Sequence, residues 1–483
     1  MRKSFIETVA ALFACALTFS AQAASTNLVS SVAVQQAAGD LSLTSVRKSD
    51  TALRDSNGDA ARLSPAEHMR RAAVYMTNRA FEEARAHWQA VVDFYPQDPH
   101  VPEALLGIGR SYFQSKNYEQ AYADFNKLAE SYPTIKEGRE GLNFSAASLL
   151  RMERFSEAAS RYKEYVTKYP NGERIDTAHL NVIDTLREAK RSAEALEWVA
   201  KTRQRFAGTP TETNAMFAAL RLFVAEGEWT QAVNAANQLA VRSFSKAVTT
   251  SPSEVAYLRA FSLEQLGKKE EAFTAYLAIP DGVASYYGWL ATQHLKKIAN
   301  KNQAAIVSAR EIRVNSAISS VGETYPAPYR PAILKSAKAK NLDPRFVLAL
   351  IRQESVFRST AKSPAGARGL LQLTLDAAQK YAPAAGINLV QEAQLYLPET
   401  SITLGAEYLR ELSQLFPQML EPVAASYNGG EDNVARWLKR AKQKDPGVFT
   451  SEIGFDETKD YVQKVMSNYR VYTVLYTDDL AKR

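Results

Sequence analysis

The sequence has little cysteine and histidine, and their positions exclude several kinds of active site. Its one cysteine, Cys15, lies near the N-terminus, and all five histidines, the last of them His294, precede the C-terminal third of the chain. That third therefore contains no thiol nucleophile, no serine–histidine pair and no histidine ligand for a metal. Acid–base chemistry there would depend on a carboxyl group, and we expect no cofactor and no metal.

Long apolar runs are also missing after the N-terminus. There, two basic residues precede an apolar stretch, and Ala21-Gln22-Ala23 supplies a cleavage site of small residues. Residues 1–23 are therefore predicted to be a signal peptide, and the protein to be periplasmic or exported. No later segment has the length that a bilayer needs, so we expect no transmembrane span in the mature chain. The apolar stretch continues past Cys15, which makes a lipid anchor in the outer membrane the less favoured alternative.

The sequence also lacks a concentrated basic segment. Its formal net charge is +7, but lysine and arginine are spread among many acidic residues. A nucleic-acid binder would be expected to gather its cations on one element, so nucleic acid is not a predicted partner. The charge suits another acidic polymer, such as anionic lipid or a cell wall rich in carboxylates. With 46% hydrophobic and 23% charged residues, the composition is that of an ordinary globular protein.

Few large apolar residues occur between the predicted signal peptide and the first folded segment. Residues 24–64 are rich in serine, threonine, aspartate, glutamine and glycine, and they include the run Asp55-Ser56-Asn57-Gly58-Asp59. Such a composition cannot bury enough apolar surface to offset the entropy of ordering the chain. We therefore predict that residues 24–64 form a disordered linker.

An internal repeat begins at about residue 65 and continues to about residue 280. Five positions separated by 37 residues are each followed three residues later by alanine; they are Phe81, Tyr118, Phe155, Ser192 and Trp229, with Ala84, Ala121, Ala158, Ala195 and Ala232. A sixth copy, Lys269 with Ala272, follows after 40 residues, which indicates a small insertion. Tyr95-Pro96, Tyr132-Pro133 and Tyr169-Pro170 recur at the same period and mark helix ends, with Phe206 as the fourth aromatic.

Each repeat unit is therefore predicted to be a pair of helices. Alanine lets paired helices approach, and the aromatic residues fill the space between units, so residues 65–280 should stack into an α-solenoid. The segment resembles tetratricopeptide repeats with a slightly longer period. The aromatic residues are interpreted as packing residues. The curved surface of such a stack could bind a protein partner or follow a polymer strand.

A glutamate near the start of the C-terminal third is the candidate for acid–base chemistry. Asp343 and Pro344 favour a helix start, and Phe346, Val347, Leu350 and Ile351 fall on one helical face. Glu354 continues that face, four residues after Leu350. Desolvation there would raise the pKa of its carboxyl group, as a general acid requires. The alternative is a glutamate at a helix end that pairs with Arg352 or Arg358.

Four blocks that follow one another in the chain extend this hypothesis; they are Glu354-Ser355, Gly369-Leu370-Leu371-Gln372, Tyr427-Asn428-Gly429, and Glu457-Thr458 followed by Tyr461. By their order and spacing, residues 325–476 resemble the catalytic domain of soluble lytic transglycosylases. The sequence departs from the family pattern at Leu371, Ser426, Gly429 and Gly454, which leaves every proton-transferring group in place. The resemblance implies a goose-lysozyme-like helical domain at residues 325–483, behind a helical linker at residues 281–324. The overall fold class is therefore predicted to be all-α.

The resemblance also implies an activity and a set of site residues. The family cleaves the β-1,4 bond between N-acetylmuramic acid and N-acetylglucosamine in peptidoglycan and leaves a 1,6-anhydro end. Glu354 matches the family's general acid, which then acts as base. The positions that match substrate contacts are Ser355, Gln372, Tyr427, Asn428, Glu452 and Tyr461. The alternative for Tyr427 and Tyr461 is helix packing, and for Ser355 and Glu452 it is a helix cap or a salt bridge.

Two other functions compete with this prediction. A lysozyme-type hydrolase of the same bond would need a second carboxylate across the cleft, and the sequence offers Asp376, Glu399, Glu407 and Glu452. A non-catalytic scaffold would bind the cell wall and recruit partners through its repeats.

Overall fold

The computed structural model describes residues 43–53, 62–388 and 390–483, and these ranges contain α-helices, short 3₁₀ turns and no β-strand. The all-α prediction is confirmed. The predicted signal peptide lies outside the described residues. None of the helices in these ranges is both long and apolar enough to cross a membrane. The chain divides into two compact units, one ending at Ala207 and the other beginning at Gly208, so the predicted repeat domain extends across this division.

The N-terminal unit consists of nine described helices. After α1 at residues 43–52, they are α2 (Pro65–Thr77), α3 (Phe81–Phe94), α4 (Val101–Gln114), α5 (Tyr118–Ser131), α6 (Lys136–Arg151), α7 (Phe155–Lys168), α8 (Ile175–Glu188) and α9 (Ser192–Arg205). From α2 onward, each helix packs on the next one along the chain. This nearest-neighbour packing is typical of a solenoid and agrees with the helix-pair prediction.

Helix α1 lies inside the segment that was expected to be a disordered linker, and that part of the prediction is wrong. Val46 is buried in an apolar cluster with Tyr75 and Trp88. Asp50 accepts hydrogen bonds from Arg71 and Tyr75. The surrounding composition is polar enough to indicate disorder, but buried Val46 and the hydrogen-bonded Asp50 hold a short helix against the first repeat.

The repeat positions have the structural roles that their spacing predicted. Helices begin at each of the marked residues, namely Phe81, Tyr118, Phe155, Ser192, Trp229 and Lys269. The alanines three residues later, Ala84, Ala121, Ala158, Ala195, Ala232 and Ala272, are all fully buried. Tyr95, Tyr132, Tyr169 and Phe206 each follow the last residue of a helix. The tyrosines also join units, since the Tyr169 hydroxyl donates to the Pro133 carbonyl at 2.8 Å.

The C-terminal unit contains the last repeats and the segment with Glu354. Its helices are α10 (Pro210–Glu226), α11 (Trp229–Ala240), α12 (Pro252–Gln265), α13 (Lys269–Leu277), α14 (Tyr286–Ile298), α15 (Ala304–Ser320), α16 (Arg330–Lys338), α17 (Pro344–Ser355), α18 (Leu375–Tyr381), α19 (Pro398–Leu415), α20 (Leu420–Gly429), α21 (Glu431–Ala441), α22 (Pro446–Glu452) and α23 (Asp456–Leu475). One continuous apolar core joins residues from α10 to α23.

Helix α17 lies at the centre of this unit. The Asp343 side chain accepts a hydrogen bond from the Arg345 amide at 2.9 Å, and Pro344 is the first helical residue, as predicted. Phe346, Val347, Leu350 and Ile351 are buried, which confirms the predicted face; Leu348 and Ala349 are buried too. The helix packs against α16 and α23. It is therefore enclosed on more than one side, and Glu354 comes at its last turn.

Candidate active site

Glu354 is partly exposed at the C-terminal end of α17, where the helix ends abruptly. Val356 and Phe357 both have left-handed backbone conformations, with φ of 50° and 62°. A valine in this conformation is sterically unfavourable, so the turn must be held by its surroundings. The result is that the chain leaves the helix one residue after the glutamate, instead of covering it with another helical turn.

Glu354 meets Tyr461, which is 107 residues further along the chain. The Tyr461 hydroxyl donates to Glu354 Oε1 at 2.7 Å, and Tyr461 itself is only 6% exposed. The Tyr461 ring is therefore held in the protein core, and its hydroxyl group contacts the carboxyl group of Glu354. The structure thus brings together two of the residues that the sequence singled out.

Arg352 and Arg358, the alternative partners considered for Glu354, have other contacts. Arg352 donates to the Thr324 carbonyl at 2.6 Å and lies over the Tyr325 ring at 3.8 Å. The Arg358 Nε donates to the Ser355 carbonyl at 3.3 Å. Both arginines therefore help to fix the chain that surrounds the end of α17.

Asn428 is oriented by the same helix that carries Tyr461. Its Oδ1 accepts a hydrogen bond from the Thr458 hydroxyl at 2.7 Å, and Thr458 is fully buried. With its oxygen occupied in this way, the polar group that Asn428 retains is its NH2, a donor of two hydrogen bonds. Gly429 is required next to it, because a Cβ at that position would lie 2.9 Å from the Thr458 hydroxyl oxygen.

Gln372 and Tyr427 stabilise the conformation of the loop that runs from Gly369 to Gln372. Gln372 has a left-handed φ of 49°, and its side-chain amide donates to the carbonyls of Ala361 and Gly369 at 2.9 and 2.8 Å. Tyr427 donates to the Leu371 carbonyl at 2.7 Å. Gly369 also has a positive φ, 78°, and a Cβ there would lie 1.9 Å from the Leu395 carbonyl. These contacts fix the backbone of the loop.

Ser355 and Glu452 have structural contacts instead of exposed polar groups. Ser355 is buried, and its hydroxyl donates to the Ile351 carbonyl one turn earlier at 3.2 Å. Glu452 is 1% exposed; Arg440 Nε donates to its carboxylate at 2.7 Å, and Arg221 lies 3.5 Å from the same oxygen. In this structure, neither side chain has a surface to present to a substrate.

The remaining carboxylates that could assist a hydrolase differ in their surroundings. Glu407 is 2% exposed, with its oxygens 2.6 Å from Lys340 Nζ and 3.1 Å from Arg410 Nε. It resembles Glu452 in being buried and ion-paired. Asp376 and Glu399 are exposed in the first turns of α18 and α19. Of the four carboxylates considered, only these two are available at the surface.

Two residues of the site had no predicted role, namely Thr458, which was named only as part of a family block, and Tyr408. Thr458 precedes Tyr461 by three residues, a spacing that puts both on one helical face, so a signal was present. Tyr408 stacks between Tyr381 and Tyr427, with ring centroids 5.0 Å from each. No local pattern marks Tyr408, because its partners come from two other helices.

Comparisons with known proteins agree with both resemblances. The family described as Transglycosylase SLT domain matches residues 331–449, and tetratricopeptide-repeat families match residues 103–134 and 146–210. The family resemblances inferred from the sequence are therefore confirmed. The SLT match ends before α23, so Thr458 and Tyr461 lie beyond it.

Curated relatives are similar over the same part of the chain. A putative soluble lytic murein transglycosylase of Haemophilus influenzae is 37% identical over 136 residues, which cover 28% of this chain and 23% of the relative. The soluble lytic murein transglycosylase of Escherichia coli K12 is 31% identical over 159 residues, or 32% of this chain and 24% of that protein. The chain thus spans about a quarter of the length of the curated relatives that it matches.

Two solved structures are similar over more of the chain. An inactive mutant of the lytic transglycosylase Slt from Pseudomonas aeruginosa aligns with a TM-score of 0.49 and 20% identity, covering 84% of this chain and 72% of that one. The 70-kDa soluble lytic transglycosylase of Escherichia coli aligns with a TM-score of 0.48 and 18% identity, covering 88% and 84%.

Proposed function

We propose that this chain, which carries a transglycosylase SLT domain behind tetratricopeptide repeats, is a lytic transglycosylase of peptidoglycan. It would cleave the β-1,4 bond between N-acetylmuramic acid and N-acetylglucosamine and leave a 1,6-anhydro end. The observation that supports the proposal is the hydrogen bond from Tyr461 to Glu354, which lies within the segment that matches the SLT family. A periplasmic or exported location follows from this substrate.

In the first step, Glu354 would act as general acid. It protonates the O4 of the leaving N-acetylglucosamine as the bond from that oxygen to C1 of N-acetylmuramic acid breaks. Positive charge then develops at C1, and the substrate's own acetamido group stabilises it. The Asn428 NH2 is the group we assign to holding that acetamido carbonyl, because Thr458 keeps the amide oriented.

In the second step, the same glutamate would act as general base. The 6-hydroxyl of N-acetylmuramic acid attacks C1, its proton returns to Glu354, and no water enters the product. Tyr461 suits both steps because a phenol hydroxyl can donate to the carboxylate and accept from the carboxylic acid. One carboxyl group thus completes the cycle, where ordinary glycosidases use two.

The surroundings of the other carboxylates favour this mechanism over hydrolysis. Glu407 and Glu452 are buried and paired with cations, so neither is placed to activate water. Asp376 and Glu399 are left as candidates for a hydrolase, and both are tested directly by substitution.

The experiment is digestion of purified sacculi by the mature wild-type chain, with mass analysis of the released sugars. We expect anhydro ends, which are lighter than reducing ends by one water. Glu354→Gln keeps the shape of the side chain but removes its proton, so turnover should fall by at least about 100-fold. The matched controls Glu399→Gln and Asp376→Asn should retain activity.

The other outcomes separate the competing functions. Reducing ends, with activity lost in either control variant, would establish the hydrolase. Normal wall binding with no cleavage by the wild-type chain would establish the scaffold. Near-normal turnover by Glu354→Gln would remove that residue from the mechanism.

A further inference from the structure

Helix α23 buries Lys459 between Thr458 and Tyr461, the two residues whose hydroxyl groups contact Asn428 and Glu354. Lys459 follows Thr458 directly and precedes Tyr461 by two residues, yet it is only 6% exposed. Its Nζ donates to Glu254 Oε1 and to the Thr249 carbonyl, both at 3.1 Å. The ammonium also lies 4.9 Å from the centre of the Phe217 ring. All of these partners belong to the last repeats; Phe217 lies on α10, Glu254 lies in the first turn of α12, and Thr249 lies in the loop before α12.

Glu254 is itself held from several sides. It is 1% exposed, and its Oε1 accepts a further hydrogen bond from the Tyr287 hydroxyl at 2.9 Å. Its Oε2 accepts a hydrogen bond from the Thr250 hydroxyl at 2.8 Å. The carboxylate therefore has a fixed position and orientation before Lys459 is considered.

Stability alone does not explain why α23 buries a lysine here. Withdrawing two charges from water costs about as much as their attraction returns, and apolar residues of similar size often stabilise such a site better. An ion pair with additional hydrogen bonds differs from apolar contacts in being satisfied in only one arrangement. Sliding or rotating α23 would leave an ammonium and a carboxylate unpaired in the core.

We propose that Lys459 and Glu254 are positioning residues for the proposed reaction. Their ion pair fixes the rotation and the axial position of the first turns of α23, so that the Tyr461 hydroxyl reaches Glu354 and the Thr458 hydroxyl reaches Asn428. The last repeats then form part of the catalytic unit itself. This inference rests on the proposed lytic transglycosylase activity.

The test compares full-length Lys459→Met and Glu254→Gln with wild type on solubilised glycan strands, with kcat and KM determined across pH. We expect each variant to lower kcat by at least about 10-fold, while KM changes by less than about 2-fold. Lys464→Met is the matched control, because Lys464 lies on the same helix in an exposed ion pair with Asp460. It should behave as wild type.

A double-mutant cycle separates positioning from general destabilisation. Because Lys459 is proposed to act partly through Tyr461, Lys459→Met should reduce kcat less in a Tyr461→Phe background than in wild type. A structural role alone would give the same reduction in both backgrounds. The variant that combines Lys459→Met with Glu254→Gln leaves no unpaired charge, so it should fold even if a single variant does not, and its kcat should still be low.

The outcomes distinguish this inference from the function on which it rests. Absence of anhydro products from the wild-type chain would refute the proposed function. Anhydro products from wild type, together with normal kcat in folded Lys459→Met or in the double variant, would refute the positioning role. Equal reductions in the two backgrounds of the cycle would refute it as well.

Discussion

The two compact units bury histidine in opposite electrostatic settings. In the N-terminal unit, desolvation lowers the pKa of His179 to about 4, with a smaller contribution from the nearby charge of Arg205. In the C-terminal unit, burial alone would lower the pKa of His294, but hydrogen bonds to Asp445 and Glu264 outweigh it and raise the pKa to about 9. The first histidine is kept neutral, and the second is kept charged between two carboxylates.

The difference reflects how the two units are built. Consecutive repeats use the same apolar contacts, so a polar side chain buried among them, such as His179 beside Thr202, is best accommodated uncharged. The C-terminal unit instead joins unlike helices through specific polar contacts, of which Arg440 with Glu452 and Lys459 with Glu254 are buried examples. Repetition favours interchangeable contacts, whereas a site with one geometry favours contacts that can be made in only one way.

The largest expected effect comes from breaking one of these buried ion pairs. Arg440→Met removes the shorter of the two ion pairs of buried Glu452, whose contact with Arg221 is longer, and we expect it to lower the free energy of unfolding by about 3 kcal/mol. Arg154→Met removes an exposed ion pair with Glu157 in the repeats and should have little effect. Chemical denaturation followed by hydrogen exchange in each unit measures both. If Arg440→Met and Arg154→Met lowered the free energy of unfolding equally, the contrast between the two units would be contradicted.

The second prediction concerns the C-terminal unit at alkaline pH. Because the pKa of His294 is raised in the folded state, its contribution is fully present below about pH 6.5 and is lost as the pH rises through about 9. The change should approach roughly 3 kcal/mol. Hydrogen exchange of α12 and α14 between pH 6 and 10 measures it. His294→Gln should flatten the pH dependence, and an unchanged slope in that variant would assign the loss to other groups.

The third prediction is the opposite dependence in the N-terminal unit. Because the pKa of His179 is lowered in the folded state, the unfolded chain binds the proton first as the pH falls. Stability should therefore decrease from about pH 6.5 down to about pH 4, where protonation of the native state begins. His179→Leu should reduce that decrease, as measured by hydrogen exchange of α8 and α9. The partly exposed His100 provides the control, and His100→Gln should keep the wild-type slope.

Local patterns in the sequence predicted most of the helical framework. The 37-residue spacing located the helix starts from Phe81 to Trp229, because every unit needs the same small residue at the same contact. Asp343 and Pro344 located the start of α17, because helix caps depend on neighbouring residues only. The same locality explains the error at α1, where one buried valine and one hydrogen-bonded aspartate in a polar segment outweigh the composition.

The contacts of the site could not be predicted in this way. Tyr461 lies 107 residues from Glu354, and Lys459 lies 205 residues from Glu254, so no helical or repeat period connects them. The family resemblance pointed to Tyr461 but did not indicate that Lys459 is buried beside it. Ser355 and Glu452 are the opposite case. The family resemblance assigned both to substrate contact, but both side chains are buried in the structure.

The smallest expected effect concerns the turn inside each repeat. The residues with positive φ in the described repeats include Arg79, Lys116, Glu153 and Lys190 at intervals of 37, and then Gly227 and Gly267. The N-terminal unit thus places ordinary side chains where the C-terminal unit has glycine, although L-residues with a Cβ are strained there.

Glu153→Gly should relieve this strain and raise the free energy of unfolding of the N-terminal unit by about 0.5 kcal/mol, since part of the gain is offset by the greater freedom of glycine in the unfolded chain. Gly227→Ala should lower that of the C-terminal unit by about 1 kcal/mol. Ala123→Gly, at an exposed position within α5, is the matched control and should lower stability by about 1 kcal/mol. The signs matter more than the sizes, because glycine is expected to stabilise only at a left-handed position. A loss of stability in Glu153→Gly, measured by denaturant unfolding with hydrogen exchange, would mean that contacts of the glutamate side chain outweigh the strain of its backbone.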